Sequence, residues 1–316
     1  GFASGALSGT TTPKYGVGGL GSSTNYVYYD TSTTGLAAGN GGCTNCIGLP
    51  TAAMKGMTTY INSGSWDFYS IWYMTANYPA LRWQPGAPAS PTLSSLFTSG
   101  SGTSSAPYQV STPTQLQNMA LAMLIPGGAG RTAYYQLTGN IDLTSVSYSA
   151  IGSSSYPFSG VLDGGGYTVQ NLNLSAGSST TGFIGYASSA TVRNLNITVT
   201  AINATQNGTS VSHTGGLAGY FSGTIQNVSV TPAPSQTGTI TGGNYVGGLV
   251  GYFNSGSINK SYATVPVVST GGYAGGLAGY LGGGLFDSYA TGSLTLNSGA
   301  YGGALVGYNG SAIYRS

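Results

Sequence analysis

From residue 180 onward short apolar groups recur between polar and glycine-rich stretches, and the recurrence is a true repeat. Gly215-Gly216-Leu217-Ala218-Gly219-Tyr220 returns as Gly247-Gly248-Leu249-Val250-Gly251-Tyr252, as Gly275-Gly276-Leu277-Ala278-Gly279-Tyr280 and as Gly303-Ala304-Leu305-Val306-Gly307-Tyr308, with an earlier copy at Gly182-Phe183-Ile184-Gly185-Tyr186. The closing tyrosines lie 34, 32, 28 and 28 residues apart. Each copy is followed by a Gly/Ser turn and a second run that alternates, as in Ser257-Ile258-Asn259-Lys260-Ser261-Tyr262-Ala263. That alternation suits a strand with one buried face, and the glycines exclude helix. A unit of about thirty residues with short strands cannot bury its own apolar face, so successive units must stack. Stacking in parallel puts equivalent residues about 4.8 Å apart and predicts an internal ladder of Leu217, Leu249, Leu277 and Leu305 beside a ladder of tyrosines. The pattern predicts an all-β fold, a right-handed parallel β-helix (solenoid).

One segment breaks the β pattern. Residues 113–124 read as a helix, with Thr112 as N-cap, Pro113 in the first turn and Pro126-Gly127 after the stop. Its apolar face (Leu116, Met119, Ala120, Met123, Leu124) is suited to cover the first coil, so one short capping α-helix is expected. Residues 84–107, rich in Pro, Ser and Gly and without periodicity, read as a linker. The expected organisation is a front piece at 1–83, with the Cys loop and Trp/Tyr-rich strands, the linker, and a back piece at 108–316 holding the helix and the repeats.

Composition narrows the function. The 316 residues include 55 Gly and 25 Tyr, no Glu, seven Lys and Arg and five Asp, for a net charge of +2. A charged fraction of 4% leaves Ser, Thr, Asn and Tyr to face water. With the cations scattered there is no stripe to track phosphates or an anionic membrane, so nucleic acid is not an expected partner. No apolar run is long enough to span a bilayer, so no membrane insertion is expected, and no leader is evident; a mature chain or an excised piece is expected. Cys43 and Cys46 sit in one Gly-rich loop; a local disulfide formed in an oxidising compartment is expected, with inert thiols or a redox or metal role as alternatives.

Candidate chemistry is sparse. Gly16-Val17-Gly18-Gly19-Leu20-Gly21 fits a dinucleotide loop in spelling only, having no βαβ surround and no acidic residue about 20 positions on. Glycosidase chemistry needs facing carboxylates, for which Asp142 and Asp163 are the candidates, with Asp30, Asp67 and Asp287 elsewhere. Both candidates read as turn and strand-end residues. His213, the sole histidine, reads as a loop residue, and five dispersed aspartates make a weak calcium set. No catalytic, metal or cofactor site is expected. Seven Asn-x-Ser/Thr sequons occur, at Asn173, Asn196, Asn203, Asn207, Asn227, Asn259 and Asn309, and stacked Asn can serve instead as hydrogen-bonding ladders. Trp66, Trp72 and Trp83 with Tyr69, Tyr73 and Tyr78 form the densest aromatic group, one face of which is expected in a core.

The back piece resembles bacterial surface proteins carrying GLUG-type repeats, of the filamentous-haemagglutinin-like adhesins and some IgA-peptidase-like proteins. The resemblance runs from the helix through Tyr134-Tyr135-Gln136-Leu137-Thr138-Gly139-Asn140-Ile141-Asp142-Leu143 and Phe158-Ser159-Gly160-Val161-Leu162-Asp163-Gly164-Gly165-Gly166-Tyr167-Thr168-Val169 into the repeats. The front piece, with Tyr28-Tyr29-Asp30-Thr31-Ser32-Thr33-Thr34-Gly35, Leu49-Pro50-Thr51-Ala52-Ala53-Met54-Lys55 and Tyr78-Pro79-Ala80-Leu81-Arg82-Trp83, is similar to the segments beyond the last repeat in that family, so the order of halves is permuted. The repeats it implies are scaffold.

The two ends match one another. Ala312-Ile313-Tyr314-Arg315-Ser316 followed by Gly1-Phe2-Ala3-Ser4-Gly5 parallels Gly284-Leu285-Phe286-Asp287-Ser288-Tyr289-Ala290-Thr291-Gly292, with Gly1 as the extra residue. The front piece can complete a neighbouring copy, fold back on its own chain, or belong to the next period of a tandem protein. The expected junction comprises Gly1, Phe2, Ala3, Leu7, Leu305, Tyr308, Ile313 and Tyr314. The expectation is an extracellular, cell-surface structural or adhesive protein, not an enzyme, that assembles with itself head-to-tail into a filament. The alternative is a surface-displayed glycan-binding or glycan-cleaving β-helix with host or surface glycans as partners.

Overall fold

The computed structural model describes residues 2–3, 27–34, 46–49, 51–54, 68–75, 78–146, 148–175, 179–204 and 213–316. They fall into two compact units, Gly1–Ser90 and Pro91–Ser316. Among the described residues the architecture is mostly parallel β-sheet with few helices, a β-solenoid.

In the first unit Phe2–Ala3, Val27–Asp30 and Cys46–Leu49 stack in parallel, with Phe2 opposite Tyr28 and Tyr28 opposite Ile47. Short helices, Thr31–Thr34 and Thr51–Met54, follow the second and third strands. Trp72–Met74 pairs antiparallel with Pro79–Leu81. Tyr28, Tyr29, Met54 and Phe68 are buried, as is Asp30. The Asp30 carboxylate accepts from the Tyr78 hydroxyl at 2.7 Å and from the Ser32 N–H at 2.8 Å, so its charge is met by donors inside the unit. Of the aromatic group, Phe68 next to it is buried, Trp72 and Tyr73 are half-buried and Trp83 is 76% exposed; Trp66 lies outside the described residues.

The second unit opens on Tyr108–Val110, Tyr134–Leu137 and Val161–Asp163, stacked in parallel onto the long strand Ile184–Asn203. From there the repeats stack coil on coil in register. Tyr186, Tyr220, Tyr252, Tyr280 and Tyr308 lie opposite one another in order. So do Val192, Ile225, Ile258, Leu285 and Ile313. A second, five-stranded sheet runs alongside, made of Thr180–Thr181, His213–Gly215, Tyr245–Gly247, Gly272–Gly275 and Ala300–Gly303. The aliphatic ladder is present: the N–H groups of Leu217, Leu249 and Leu277 each donate 2.9 Å to the next leucine carbonyl, ending at Leu305. The first three leucines are fully buried, and Leu305 is half-buried. Each coil thus buries its apolar face on its neighbours, which no single coil could do alone.

The turns stack as well. Asn194, Asn227, Lys260, Asp287 and Arg315 all adopt positive φ, between 47° and 54°, one residue after in-register strand positions. Asn enters this region most easily and leads the column, where the Asn227 amide donates to Asn194 Oδ1 at 3.0 Å. In two adjacent coils the bend after the tyrosine strand is a glycine at positive φ, Gly223 at +130° and Gly256 at +105°, and a Cβ at Gly256 would collide with the Gly223 carbonyl of the coil beneath.

Residues 113–122 form the expected helix, Pro113–Ala122, with Thr112 Oγ1 accepting from the Gln115 N–H at 3.2 Å. Leu116, Met119, Ala120, Met123 and Leu124 are all buried. The segment read as a linker is structured over its second part. Leu93–Leu96 is a helix closed by a Thr92/Ser95 capping box, and Leu96 and Phe97 enter the core, Phe97 stacking on Tyr108 at 4.7 Å. Two apolar residues in a Ser/Pro-rich stretch suffice for this because an aromatic surface is waiting for them.

Candidate functional site: two aromatic ladders

The repeats bring tyrosines together on the exterior. In the strand after each Gly-Gly-Leu, adjacent side chains take opposite faces, so that Phe221 is buried in the core while Tyr220 before it is half-buried on the outer face. Parallel, in-register stacking then places tyrosine upon tyrosine. Ring centroids along the first ladder are 4.1 Å apart for Tyr186–Tyr220, 5.5 Å for Tyr220–Tyr252, 4.2 Å for Tyr252–Tyr280 and 5.4 Å for Tyr280–Tyr308, with interplanar angles of 10° or less. The second ladder starts at His213 and continues through Tyr245, Tyr273 and Tyr301, with the tyrosines 5.7 and 5.4 Å apart. Glycine lets the two ladders meet: a Cβ at Gly279 would stand 2.5 Å from the backbone nitrogen of Val246 in the neighbouring sheet. The rings consequently cross edge to face, Tyr245 against Tyr252 at 5.1 Å and Tyr273 against Tyr308 at 5.3 Å.

The electrostatics follow from this crowding. Burial, followed by hydrogen bonding to Tyr186 and the neighbouring phenols, pushes Tyr220 up to about 12. Tyr252 is raised in the same way, by burial and then by its hydrogen bond with Tyr280, and Tyr245 by burial and the tyrosines around it. His213 packs 5.0 Å from Tyr252 and is pushed down to about 4 by burial. Its Nδ1 is buried and finds no hydrogen-bond partner among the described residues. The surface is therefore a neutral wall of phenol edges and hydroxyls along the solenoid axis, whose ring faces are mostly covered by the next ring. Uncovered faces occur at the outer coil, where Tyr289, Tyr301, Tyr308 and Tyr314 each stack on one ring beneath and are 50, 66, 45 and 51% exposed.

The expected junction residues divide between the two units. Leu305, Tyr308, Ile313 and Tyr314 share the last coil, whose strands pair, among the described residues, on their inner side alone. Phe2 and Ala3 form a strand of the first unit; Gly1 and Leu7 lie outside the described residues. A serine column escaped the sequence reading. The N–H groups of Val228, Ser261 and Ser288 each donate 3.1 Å to the hydroxyl of Ser261, Ser288 and Ser316 in turn. Its signal is the repeated Ser-Tyr-Ala at 261–263 and 288–290. Of the cysteines, Cys46 opens a strand and Cys43 lies outside the described residues.

The carboxylates are engaged by structural donors. Asp142 accepts from the Asn171 amide and from the Thr144 N–H and hydroxyl at 2.8–2.9 Å, and these bonds, that of Asn171 foremost, hold it below the usual range. Asp163 is pushed up by partial burial, but bonds from Gly165, Asn194 and Arg193 outweigh this and leave it lowered. Asp287 is lowered by Arg315. None of these three is held protonated as a glycosidase acid would be. Among the described residues no three His, Cys, Asp or Glu side chains gather to hold a metal, and no helix is long and apolar enough to cross a membrane.

No protein-family profile matches the chain, so the GLUG-type likeness remains one of motifs. An alignment 167 positions long, covering 49% of the chain, is 34% identical to part of halomucin from Haloquadratum walsbyi, and the match spans 2% of that protein's length. Among solved structures, the chain is similar to a Bacteroides ovatus protein provisionally assigned as an immunoglobulin A1 protease, with a TM-score of 0.49 and 21% identity over 70% of this chain and 77% of that one. The expectation of a non-enzyme stands against this likeness to a protein named for protease activity, a likeness that at 21% identity and a TM-score of 0.49 gives neither this chain nor any residue of it a catalytic role.

Proposed function

We propose that this chain is a surface-displayed β-solenoid that holds neutral glycans along its tyrosine ladders. The observation that carries the reading is the pair of converging ladders, Tyr186 to Tyr308 and His213 to Tyr301. Neutral sugars are amphipathic, and a wall that repeats an apolar ring edge and a hydroxyl every coil offers them contact and hydrogen bonding together. Arg193, Lys260 and Arg315 stand in or beside the turn column, away from these ladders, which supports neutral over anionic polymers. An uncharged exterior rich in Ser, Thr and Asn supports a setting outside the cell. We take the coils to wind right-handed, as parallel strand connections do, with Pro113–Ala122 as the lid of the first coil.

Affinity electrophoresis in gels cast with neutral polysaccharides tests this. Retention that falls in a Tyr252→Ala/Tyr280→Ala variant of unchanged circular dichroism is expected. Unretarded migration in every polysaccharide would overturn it, and release of reducing ends from a retained polymer would separate cleavage from binding.

The last coil favours a second reading, end-to-end assembly. Ser316 Oγ and the outer edge of Ile313–Tyr314 repeat what Ser288 and Leu285–Phe286 present one coil earlier. A Phe2–Ala3 strand from a second copy is the occupant we infer, matching Tyr289-Ala290 in the column above Tyr262-Ala263. Sedimentation showing monomers at every concentration would remove this reading.

A further inference from the structure

The spacing along the first ladder is uneven in a regular way. A parallel stack sets neighbouring backbones about 4.8 Å apart, so equally placed rings would share one spacing. Instead short and long separations alternate, 4.1, 5.5, 4.2 and 5.4 Å. Hydrogen bonds follow the same alternation, joining Tyr220 to Tyr186 and Tyr252 to Tyr280. The ladder is thus two phenol dyads and an outer ring, Tyr308.

We propose that the dyads Tyr186–Tyr220 and Tyr252–Tyr280 are sites of oxidative coupling, where dityrosine bonds staple successive coils. Two phenols each lose one electron and one proton, and the two ring radicals join through their ortho carbons. Each ortho carbon then gives up its hydrogen as the ring regains aromaticity, with a proton returned to each phenol oxygen. Hydrogen peroxide acting through a haem peroxidase takes up the two electrons and two protons and leaves as two waters. Proximity decides which partners meet: a radical on Tyr252 has Tyr280 at 4.2 Å and Tyr220 at 5.5 Å. The dyad's exposed edge lets a ring swing from its stacked pose toward coupling geometry. A bond there closes the loop between two coils and restricts the unfolded chain, as a disulfide does.

The chain's few trypsin sites suit the test. Cleavage after Arg193 parts Tyr186 from Tyr220, and cleavage after Lys260 parts Tyr252 from Tyr280, while Tyr220 stays with Tyr252 and Tyr280 with Tyr308. The full chain is treated with peroxidase and hydrogen peroxide, the monomer is recovered by size exclusion, and its tryptic peptides are read by mass spectrometry. The expected products are 132–193 joined to 194–260 and 194–260 joined to 261–315, each lighter by two hydrogens per bond. Fragmentation is expected to place the bonds at Tyr186–Tyr220 and Tyr252–Tyr280, several-fold above any other pair. Tyr280→Phe is expected to lose the second product and keep the first, and Tyr308→Phe to keep both. Coupling spread over the most exposed rings, Tyr301 and Tyr314, without the two dyads would overturn the proposal. Because no glycan enters the assay, its outcome is independent of polysaccharide binding.

Discussion

The backbone N–H of Ser261 donates to the hydroxyl of Ser288 at 3.1 Å, and that hydroxyl donates on to the Phe286 carbonyl at 2.7 Å. Ser288 is 1% exposed, so its side chain is what satisfies a buried donor of the coil below. Ser288→Ala is expected to leave the Ser261 N–H without its acceptor and to cost about 1–3 kcal/mol, measured by denaturant unfolding. Ser288→Thr, which keeps the hydroxyl, is expected to lose less. Equal losses in both would show that the hydroxyl is not the stabilising group.

The same logic of stacked equivalents makes the leucine ladder sensitive. Leu277 lies between Leu249 and Leu305 and is fully buried. Leu277→Ala opens a cavity that two rigid neighbouring coils cannot collapse around, and a loss of about 2–5 kcal/mol is expected. The half-buried Leu305 is expected to lose distinctly less on the same truncation, and a reversed order would refute the placement of Leu277 at the centre of the column.

These ladders were legible in the sequence because apolar repetition at a fixed period has few other physical solutions. Leu217, Leu249 and Leu277 and the tyrosine column fall where the repeats place them. The helix Pro113–Ala122 was legible from its cap and its face. The helix Leu93–Leu96 was not, since its stability rests on Phe97 meeting Tyr108, a contact that composition does not announce. Nor was the division of the tyrosines into dyads, for every repeat spells Gly-Tyr alike. His213 looked like a loop residue, whereas its register opposite Tyr245 makes it the first member of a ladder.

Glycine at the stacked bends Gly223 and Gly256 is a backbone requirement, not a filler. Gly256→Ala places a side chain on a residue with φ of +105° and against the Gly223 carbonyl. A loss of more than about 1 kcal/mol is expected, since both strain and collision act in the folded state. By contrast Gly299→Ala, also at positive φ but with open space around it, is expected to show the strain alone. Thermal unfolding of the two variants separates the contributions, and a smaller effect at Gly256 would contradict the close approach of the bends.

His213 makes stability depend on acid. Its pKa is pushed down to about 4 in the fold, against 6.5 for an unperturbed side chain, so between these values the unfolded chain binds the extra proton. Stability is then full above about pH 6.5 and declines as the pH falls toward 4. His213→Tyr, which copies Tyr245, Tyr273 and Tyr301, is expected to flatten that part of the profile. A chevron series across this range checks it, and an unchanged slope in the variant would show that other groups carry the dependence.

At the alkaline end the phenols take over. Tyr220 is raised to about 12 and Tyr252 and Tyr245 are raised as well, so the folded chain keeps protons that the unfolded chain releases near pH 10. The stabilisation is complete below pH 10 and is lost progressively as the pH climbs toward 12. Spectrophotometric titration is expected to show a delayed phenolate fraction that appears together with loss of the β-sheet circular dichroism signal. Removing one dyad partner, as in Tyr280→Phe, takes from Tyr252 the hydroxyl it is hydrogen-bonded with and is expected to move part of that fraction to lower pH. Ionisation of all tyrosines in a single early wave, with the sheet intact, would mean that the ladder leaves its phenols as accessible as free ones.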